Sequence, residues 1–301
     1  MTNPSRAALV WYRRHGRDLP WRRTHDPYAI LVSEVMLQQT QVARVIPKYG
    51  EFLRRFPTPR ALANARLRDV LAVWSGLGYN RRAKHLWETA RAIVAQHRGR
   101  LPAAPDALRA LPGIGRYTAG AIASFAYGAR EPAVDTNIRR VLSRAVLRTD
   151  RAPEADVWRA AREHLPRDAA SWNHALMDIG ALYCRTTPNC SICPLRNACA
   201  FRATKPKNGA PRRRASRQGP RGVATHAASS NGAWEGSRRQ YRGRVIRALT
   251  TARSLAVGAL GPRVKEGFCK TDLPWLLDLL ADLQRDGLVT LDPRKCRAAL
   301  P

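Results

Sequence analysis

The sequence predicts an all-α protein whose helical body is followed by a basic linker and a small C-terminal unit. Three observations predict this fold class. Apolar residues recur at helical intervals along four stretches of the first 200 residues. Prolines lie between these stretches, where they separate helices. No stretch of this part of the chain alternates apolar and polar residues as a half-buried strand does.

The four helical stretches are each long enough for two or more turns. The first reads AILVSEVMLQQTQV, and the last ends just before a group of cysteines. Another helix is expected over 136–146, after Asp135, and one is expected to end at Ala110, before a glycine-rich turn. Together these elements form a predicted body, residues 1–204. The four stretches are 29–42, 83–95, 118–126 and 169–183.

The composition changes after residue 204. Residues 205–238 are rich in Pro, Gly, Ser and Arg and poor in apolar side chains, which predicts a basic disordered linker. Residues 239–301 regain an apolar pattern. They predict helices over 242–250 and 272–286 and a short strand over 287–291, a small winged-helix-like unit whose partner is unknown.

The charge of the 301-residue chain points to a polyanionic partner. The net charge is +31, which excludes an ordinary acidic or neutral cytosolic enzyme and favours nucleic acid. Because 46 of the 53 basic residues are arginine, codon bias is an alternative source of part of this charge. No apolar run approaches the roughly 20 residues of a membrane span, and the first residues lack a signal-peptide core. We therefore expect a cytoplasmic protein that does not associate with membranes.

Four of the six cysteines form a tight group with the spacing C-x5-C-x2-C-x5-C. Four thiolates within sixteen residues can surround one metal centre, so Cys184, Cys190, Cys193 and Cys199 are candidate ligands. An iron–sulfur cluster and a four-cysteine zinc site both fit this spacing. Nothing in the sequence indicates secretion, which argues against disulfides.

The sequence LPGIG at 111–115 lies between two predicted helices. Gly113 and Gly115 permit a tight turn, and the backbone N–H groups of such a turn can hold a phosphate. Leu111, Gly113 and Gly115 are therefore candidate DNA-binding residues of a helix–hairpin–helix, which grips the backbone without reading sequence. An ordinary Pro-Gly turn is the alternative.

Two carboxylates stand out. Glu34 interrupts an apolar helix, and burial there would keep it protonated, as a general acid requires. The alternative is a solvated residue on the polar face of the helix. Asp135 precedes a helix and suits an N-cap, a role that is compatible with catalysis.

Nine short motifs occur in order within residues 7–204. They are LPWR at 19–22, DPY at 26–28, SEVMLQQTQV at 33–42, FPT at 56–58, WSGLGY at 74–79, LPGIG at 111–115, VDTN at 134–137, ALMDIGA at 175–181 and the cysteine group. In this order they resemble the MutY-type adenine DNA glycosylases, helix–hairpin–helix enzymes related to endonuclease III. The resemblance implies two helical lobes with a DNA-binding cleft between them, and a [4Fe-4S] cluster rather than zinc in a loop over 184–199.

The resemblance also implies the chemistry. The enzyme would flip an adenine mispaired with 8-oxoguanine or guanine out of double-stranded DNA and hydrolyse its glycosidic bond. Glu34 matches the acid that protonates the base, and Asp135 matches the carboxylate that stabilises the positively charged sugar. Asn137 and Tyr117 match residues that support this site.

Other positions match the family's DNA contacts. Arg17 is similar to a pocket-lining residue. Gln39, Thr40, Leu77 and Tyr79 resemble residues that fill the gap in the duplex or contact the opposite purine. Core packing is the alternative for these four.

Tyr117 bears on the type of reaction. Bifunctional relatives carry a lysine at this hairpin position, which forms a Schiff base and cuts the strand. Residues 1–200 contain only Lys48 and Lys84, both far from the hairpin in sequence. The resemblance therefore implies a monofunctional glycosylase, which we expect to be monomeric.

The sequence departs from the family at four places. The first cysteine gap is one residue shorter than usual. Thr136 and Asn80 replace a glycine and a second tyrosine, and His174 replaces a glutamate or glutamine near the adenine pocket. Residues 239–301 are too short for the family's Nudix-like domain, which senses 8-oxoguanine.

Two other functions remain open at this stage. One is a thymine or uracil glycosylase acting on G:T or G:U mismatches with the same fold. The other is a DNA-binding protein without catalysis. The motif around Glu34 favours adenine, and the presence of both acids favours an enzyme.

Overall fold

A computed structural model describes residues 3–203, 235–292 and 294–301. Between residues 3 and 203 the regular structure is helical, with no strand, as the apolar periodicity predicts. Half of the helices of this body begin at a proline or after a capping side chain, such as Asn3, Asp26, Thr58, Asp135 and Asp168. The helices are α1 Pro4–His15, α2 Pro27–Leu37, α3 Val42–Arg55, α4 Pro59–Ala63, α5 Leu67–Trp74, α6 Arg81–His97, α7 Pro105–Arg109, α8 Arg116–Tyr127, α9 Thr136–Ala145, α10 Glu154–His164, α11 Ala169–Leu182 and α12 Ala200–Ala203.

The body has two hydrophobic cores, which define two lobes. Helices α2–α8 enclose one core, whose largest buried side chains include Trp74 and Phe52. The N-terminal helix α1 joins α9, α10 and α11 around the other core, with Trp172 at its centre. Three of the four grouped cysteines pack against this second core. The expected two-lobed arrangement is therefore confirmed.

The helix predicted over 29–42 ends earlier, at Leu37. Residues 38–41 form a turn in which Gln39 takes a left-handed conformation (φ 55°), and α3 begins at Val42. The guanidinium of Arg82 donates to the carbonyl oxygens of Val35 and Met36, both at 2.9 Å. If α2 continued, these carbonyl oxygens would accept hydrogen bonds from the N–H groups of the next helical turn. Because α2 ends at Leu37, the guanidinium of Arg82 supplies the hydrogen bonds instead.

The C-terminal unit combines three helices with a small sheet. Helices α13 Arg238–Thr250, α14 Val257–Val264 and α15 Leu273–Arg285 pack around buried leucines. Three antiparallel strands stand in the order β1-β3-β2 and form the wing: β1 Leu255–Ala256, β2 Thr290–Asp292 and β3 Arg297–Ala299.

The sequence prediction for this unit was only partly right. The predicted strand 287–291 begins three residues too early, because Leu288 still bonds to Leu283 of α15. Strands β1 and β3 are too short to show an alternating pattern. Most of the predicted linker, 205–238, lies outside the described residues; Ser237 already caps α13.

The C-terminal unit packs directly on the body. Val245, Ile246 and Leu249 of α13 belong to the same core as α2–α8. Arg68 of α5 donates to the carbonyl oxygen of Thr250 at 2.8 Å, and Arg81 lies 3.5 Å from Asp286. Across the part of the chain that the structure describes, no helix is long and apolar enough to cross a membrane.

Candidate active site

A cavity of about 630 Å³ opens between the two lobes, at the position expected for a DNA-binding cleft. The ends of α2 and α8 form one wall, and α9 and α11 form the other. Seven predicted site residues line it together: Arg17, Glu34, Gln39, Thr40, Tyr117, Asp135 and Asn137.

Glu34 is buried on α2, a helix in which residues 28–36 are all buried. The alternative of a solvated carboxylate is therefore wrong. Burial and, to a lesser degree, the nearby Asp135 raise the pKa of Glu34, whereas Tyr117 and Arg22 lower it, and together these effects place the pKa at about 7. Near neutral pH the side chain can thus exist in both protonation states, as a general acid requires.

Tyr117 lies in the first turn of α8, directly after the hairpin. Its hydroxyl forms a hydrogen bond with Oε2 of Glu34. Burial and the charge of Glu34 raise the pKa of Tyr117 well above its usual value, so the phenol stays protonated and acts as the donor. The hairpin turn therefore positions the hydroxyl of Tyr117 to donate a hydrogen bond to the carboxyl group of Glu34.

Asp135 caps α9, as the sequence predicts, and also faces the cavity. Its Oδ1 accepts from the backbone N–H of Ile138 at 2.7 Å, and its Oδ2 accepts from Nδ2 of Asn137 at 2.8 Å. Burial raises the pKa of Asp135, while these hydrogen bonds lower it. Gly180 of α11 lets α9 approach closely, because a Cβ there would stand 2.6 Å from the Cβ of Asn137. Asn137 thus orients the carboxylate.

Asn137 also connects Asp135 to the cysteine loop. Its Oδ1 accepts from Nη2 of Arg140 at 2.8 Å. The same guanidinium donates to the carbonyl oxygen of Gly180 at 2.8 Å and to that of Cys184. The cavity between the lobes and the first cysteine are therefore linked through one arginine of α9.

An ion-pair cluster that the sequence analysis missed closes the far side of the cavity. Asp178 of α11 is fully buried and accepts two hydrogen bonds from Arg22, both at 2.8 Å, and one from Nε of Arg17 at 2.7 Å. Although burial raises the pKa of Asp178, the hydrogen bonds and charges of Arg22 outweigh it and leave the pKa lowered. The sequence did contain a signal for Asp178, because this carboxylate interrupts an apolar helix as Glu34 does.

His174 lines the cavity from α11. Its ring stacks on Phe125 at a centroid distance of 4.0 Å. Burial and, next, the charge of the neighbouring Arg22 lower the pKa of His174 to about 3. The imidazole is therefore neutral and can both donate and accept a hydrogen bond.

Two turns at the mouth of the cavity carry the predicted gap-filling residues. Gln39 is exposed, Thr40 and Tyr79 are half-buried, and Tyr79 is left-handed (φ 48°) like Gln39. The side chain of Leu77 is buried in the core, 5% exposed. For Leu77 the structure therefore fits the alternative of core packing rather than a side chain that fills a gap in the duplex.

Arg82 joins these two turns and was not singled out from the sequence. Besides the end of α2, its guanidinium donates to the hydroxyl of Thr40 at 2.9 Å and to the carbonyl oxygens of Leu77 and Gly78 at 3.2 and 3.1 Å. The residues that it joins are about forty positions apart, so no local pattern could have revealed it. Arg82 fixes both turns relative to Glu34.

The hairpin connects α7 and α8. Gly113 takes a left-handed conformation (φ 75°), which favours glycine, and Gly115 precedes α8 without a capping side chain. Gly113, Gly115 and Arg116 are exposed, whereas Leu111 is buried. The backbone of the turn, rather than the side chain of Leu111, is available to a phosphate.

The four grouped cysteines surround one small cavity beside α9. Their thiols interact electrostatically, and burial raises the pKa of Cys193 to about 11. Nη1 of Arg144 lies 3.4 Å from Sγ of Cys184. Within residues 3–203, 235–292 and 294–301, no three His, Cys, Asp or Glu side chains form a group that could hold a metal ion. The other two cysteines, Cys269 and Cys296, are exposed.

The geometry defines a helix–hairpin–helix protein with a buried acid and a second carboxylate in one cleft. Comparisons with known proteins agree. Residues 32–167 match the HhH-GPD superfamily of base excision DNA repair proteins. The chain is 41% identical over 300 residues to the adenine DNA glycosylase of Mycobacterium tuberculosis strain H37Rv, covering 94% of this chain and 88% of the relative.

Thymine-DNA glycosylases are similar over a smaller part of the chain. That of Aeropyrum pernix is 40% identical over 206 residues, covering 65% of this chain and 92% of the relative. The structure of a thermostable thymine-DNA glycosylase superposes with a TM-score of 0.62 at 28% identity, covering 66% of this chain and 94% of that chain. The mycobacterial alignment extends further, into the C-terminal unit. The chain belongs to the MutY-type adenine DNA glycosylases of the HhH-GPD superfamily.

Proposed function

We propose that the protein is a monofunctional DNA glycosylase that excises adenine mispaired with 8-oxoguanine or guanine. The observation that carries the proposal is Glu34, a buried acid with a pKa of about 7, in one cavity with Asp135. The names of the mycobacterial relatives support adenine as the base. The product would be an abasic site in duplex DNA.

The reaction begins with extrusion of the adenosine nucleotide, because its glycosidic bond is inaccessible within the base stack. The cavity between the lobes receives the base. There the proton of Glu34 passes to a ring nitrogen of adenine, which turns the base into a better leaving group. The bond between C1′ and the base nitrogen then breaks, and its electron pair leaves with the base.

The sugar left behind resembles an oxocarbenium ion, and the ionised carboxylate of Asp135 stabilises its positive charge. Asn137 and the N–H of Ile138 hold this carboxylate in place. Water adds to C1′ and gives up a proton to the ionised carboxylate of Glu34, which restores the acid and completes the hydrolysis. Tyr117, donating to Glu34, orients the acid and keeps its pKa near neutrality.

The residues of the cavity favour hydrolysis over strand cleavage. A lyase needs an amine that forms a Schiff base with the sugar. Among the described residues that line the catalytic cavity there is no lysine. Lys48 is paired with Glu51, and Lys84 is paired with Glu88, both on the lobe that α2–α8 form.

A [4Fe-4S] cluster held by the four grouped cysteines completes the proposal. Four thiols that line one cavity form a complete ligand set for such a cluster, and the similarity of the chain to MutY-type glycosylases favours it over a four-cysteine zinc site. Such a cluster would supply a fixed anchor for the loop 184–199. Arg140 and Arg144 of α9 donate hydrogen bonds to the backbone at the start of this loop. A fixed loop would therefore also fix α9 and its N-cap, Asp135.

A thymine or uracil glycosylase is the second candidate, because such enzymes share the body with similar identity. One assay separates the two. Single-turnover base release is measured from duplexes that pair adenine with 8-oxoguanine, guanine or cytosine, and from G:T and G:U duplexes. We expect release of adenine opposite 8-oxoguanine and guanine. Release of thymine or uracil alone would reverse the assignment.

The proposal carries expectations about the molecule's surroundings. Its partner is double-stranded DNA with a mispaired base, which places it with the chromosome in the cytoplasm. A single chain contains the whole catalytic cavity, so we expect a monomer.

A further inference from the structure

A second cavity, of about 920 Å³, lies between the body and the C-terminal unit. One wall is the turn from Ser75 to Arg82, and the other is α13. Five arginines of this helix line it: Arg238, Arg239, Arg242, Arg244 and Arg247. We call this cavity the basic groove.

The acidic side chains nearby neutralise only part of this charge. Arg238 pairs with Asp278 and Asp282, and Arg242 pairs with Asp286. Arg247, in contrast, is exposed and makes no ion pair with any residue that the structure describes. The groove is therefore positive, and Arg247 contributes to this charge.

The basic groove is continuous with the catalytic cavity. Gln38 and Gln39 line both of them. A duplex whose extruded nucleotide occupied the catalytic cavity would cross this turn. Its complementary strand would then lie on the groove side.

One face of α13 is shaped to approach a phosphate backbone. Arg239, Gly243 and Arg247 are spaced four residues apart and so share this face. At Gly243 an added Cβ would meet nothing within 4 Å. A strand can therefore lie close to the helix between the two arginines.

Arg239 also connects the C-terminal unit to a predicted DNA contact. It donates to the hydroxyl of Tyr79, and its guanidinium lies 5.1 Å from the centre of the tyrosine ring. Arg82 of the body lies 5.5 Å from the same ring. The left-handed Tyr79 is thus held between two arginines from different parts of the chain.

We infer that the C-terminal unit is part of the DNA interface and binds the strand opposite the excised base. Arg247 contacts phosphates of this strand along the open face at Gly243, and Arg239 positions Tyr79. DNA is favoured over an acidic protein segment because the groove continues the catalytic cavity. This inference rests on the proposed function.

The first test compares the affinities of full-length variants for a duplex that pairs 8-oxoguanine with 2′-fluoroadenosine, which resists cleavage. We expect Arg247→Ala to raise Kd roughly tenfold and to reduce the slope of log K against log[salt] by about one. Arg263→Ala removes the same charge from α14, outside the groove, and should change neither quantity. Equal affinities for Arg247→Ala and the wild type would overturn the inference and leave the groove to a protein partner.

Gly243 gives a second test that does not depend on losing a side chain. Gly243→Glu and Gly243→Gln fill the same open space, and both favour the helix more than glycine does. Only the glutamate repels a phosphate, so we expect it to weaken binding much more than the glutamine. Equal effects of the two substitutions would contradict a phosphate at this face.

The assignment to one strand is tested with neutral methylphosphonates near the mismatch. Methylphosphonates in the strand opposite the adenosine analogue remove the phosphate charge that Arg247 would contact. They should therefore abolish the difference in Kd between the wild type and Arg247→Ala. If only substitutions in the adenosine strand abolish it, the strand assignment is wrong. These measurements need no excision, so failure of the proposed function would appear separately, as a wild type that releases no adenine.

Discussion

Tyr117 and Glu34 are joined by a hydrogen bond inside the catalytic cavity, although they lie 83 positions apart in the chain. The bond favours the ionised form of Glu34 and so opposes the effect of burial, which favours the protonated form. The balance places the pKa of the acid at about 7. Two of our predictions follow from this balance.

The first prediction concerns pH. A general acid works in its protonated form, so the excision rate should be constant below pH 7. It should fall about tenfold per pH unit above pH 7 as Glu34 loses its proton. Single-turnover rates across pH 5 to 9 with saturating DNA measure this. A rate that rises with pH over this range would contradict the assignment of Glu34.

The second prediction concerns Tyr117→Phe. Removing the hydroxyl removes an interaction that lowers the pKa of Glu34. The fall in rate should therefore begin at a higher pH than in the wild type. The same pH series measures it, with Tyr127→Phe as a matched control, because Tyr127 bonds to the carbonyl oxygen of Leu101 and is absent from the cavity lining. An unshifted profile would mean that the hydrogen bond does not tune the acid.

Two substitutions of Asp135 separate its role as the N-cap of α9 from its proposed role in stabilising the sugar cation. Asn and Asp are similarly good N-caps, so Asp135→Asn should preserve stability yet lower the excision rate by at least about a hundredfold. Asp135→Ala removes the cap as well and should cost a further ~1 kcal/mol of unfolding free energy. Urea denaturation and single-turnover kinetics measure the two effects. An active Asp135→Asn variant would leave Asp135 as a cap only.

Arg82 is expected to be essential for the shape of the cavity mouth. Arg82→Lys keeps the charge but cannot reach both the carbonyl oxygens at the end of α2 and those of Leu77 and Gly78. We expect it to lower the free energy of unfolding by about 3 kcal/mol. Arg81→Lys, at an exposed neighbouring position, is the control. Equal stability of the two variants would show that the two turns hold their shape without Arg82.

The cysteine group predicts a visible property. The purified protein should be brown and contain about four irons per chain. Cys193→Ser should lose the colour, whereas Cys269→Ser should keep it because Cys269 is exposed and distant from the group in sequence. Absorbance spectra and metal analysis measure this. One zinc per chain without colour would contradict the proposed cluster.

The sequence predicted the features that depend on local pattern. The periodicity of α8 and α11, the N-cap at Asp135 and the isolated acid at Glu34 are each visible within a dozen residues. The spacing of the cysteines likewise indicated a shared site, and the structure places all four around one cavity.

The features that the sequence did not predict depend on distant contacts. The end of α2 at Leu37 is set by Arg82, which lies forty-five positions later. The packing of α13 on α5 and the contact between Arg239 and Tyr79 join segments about 160 positions apart or more. Such contacts leave no periodic signal in either segment.

The central claim is that Glu34 supplies the proton for adenine excision. The most direct measurement compares wild type and Glu34→Gln on a duplex that pairs adenine with 8-oxoguanine, at saturating protein and in a single turnover. The substitution keeps the shape of the side chain and removes its acidity. We predict that Glu34→Gln binds the duplex as the wild type does but releases adenine at least about a hundredfold more slowly. Adenine release at the wild-type rate would contradict the account.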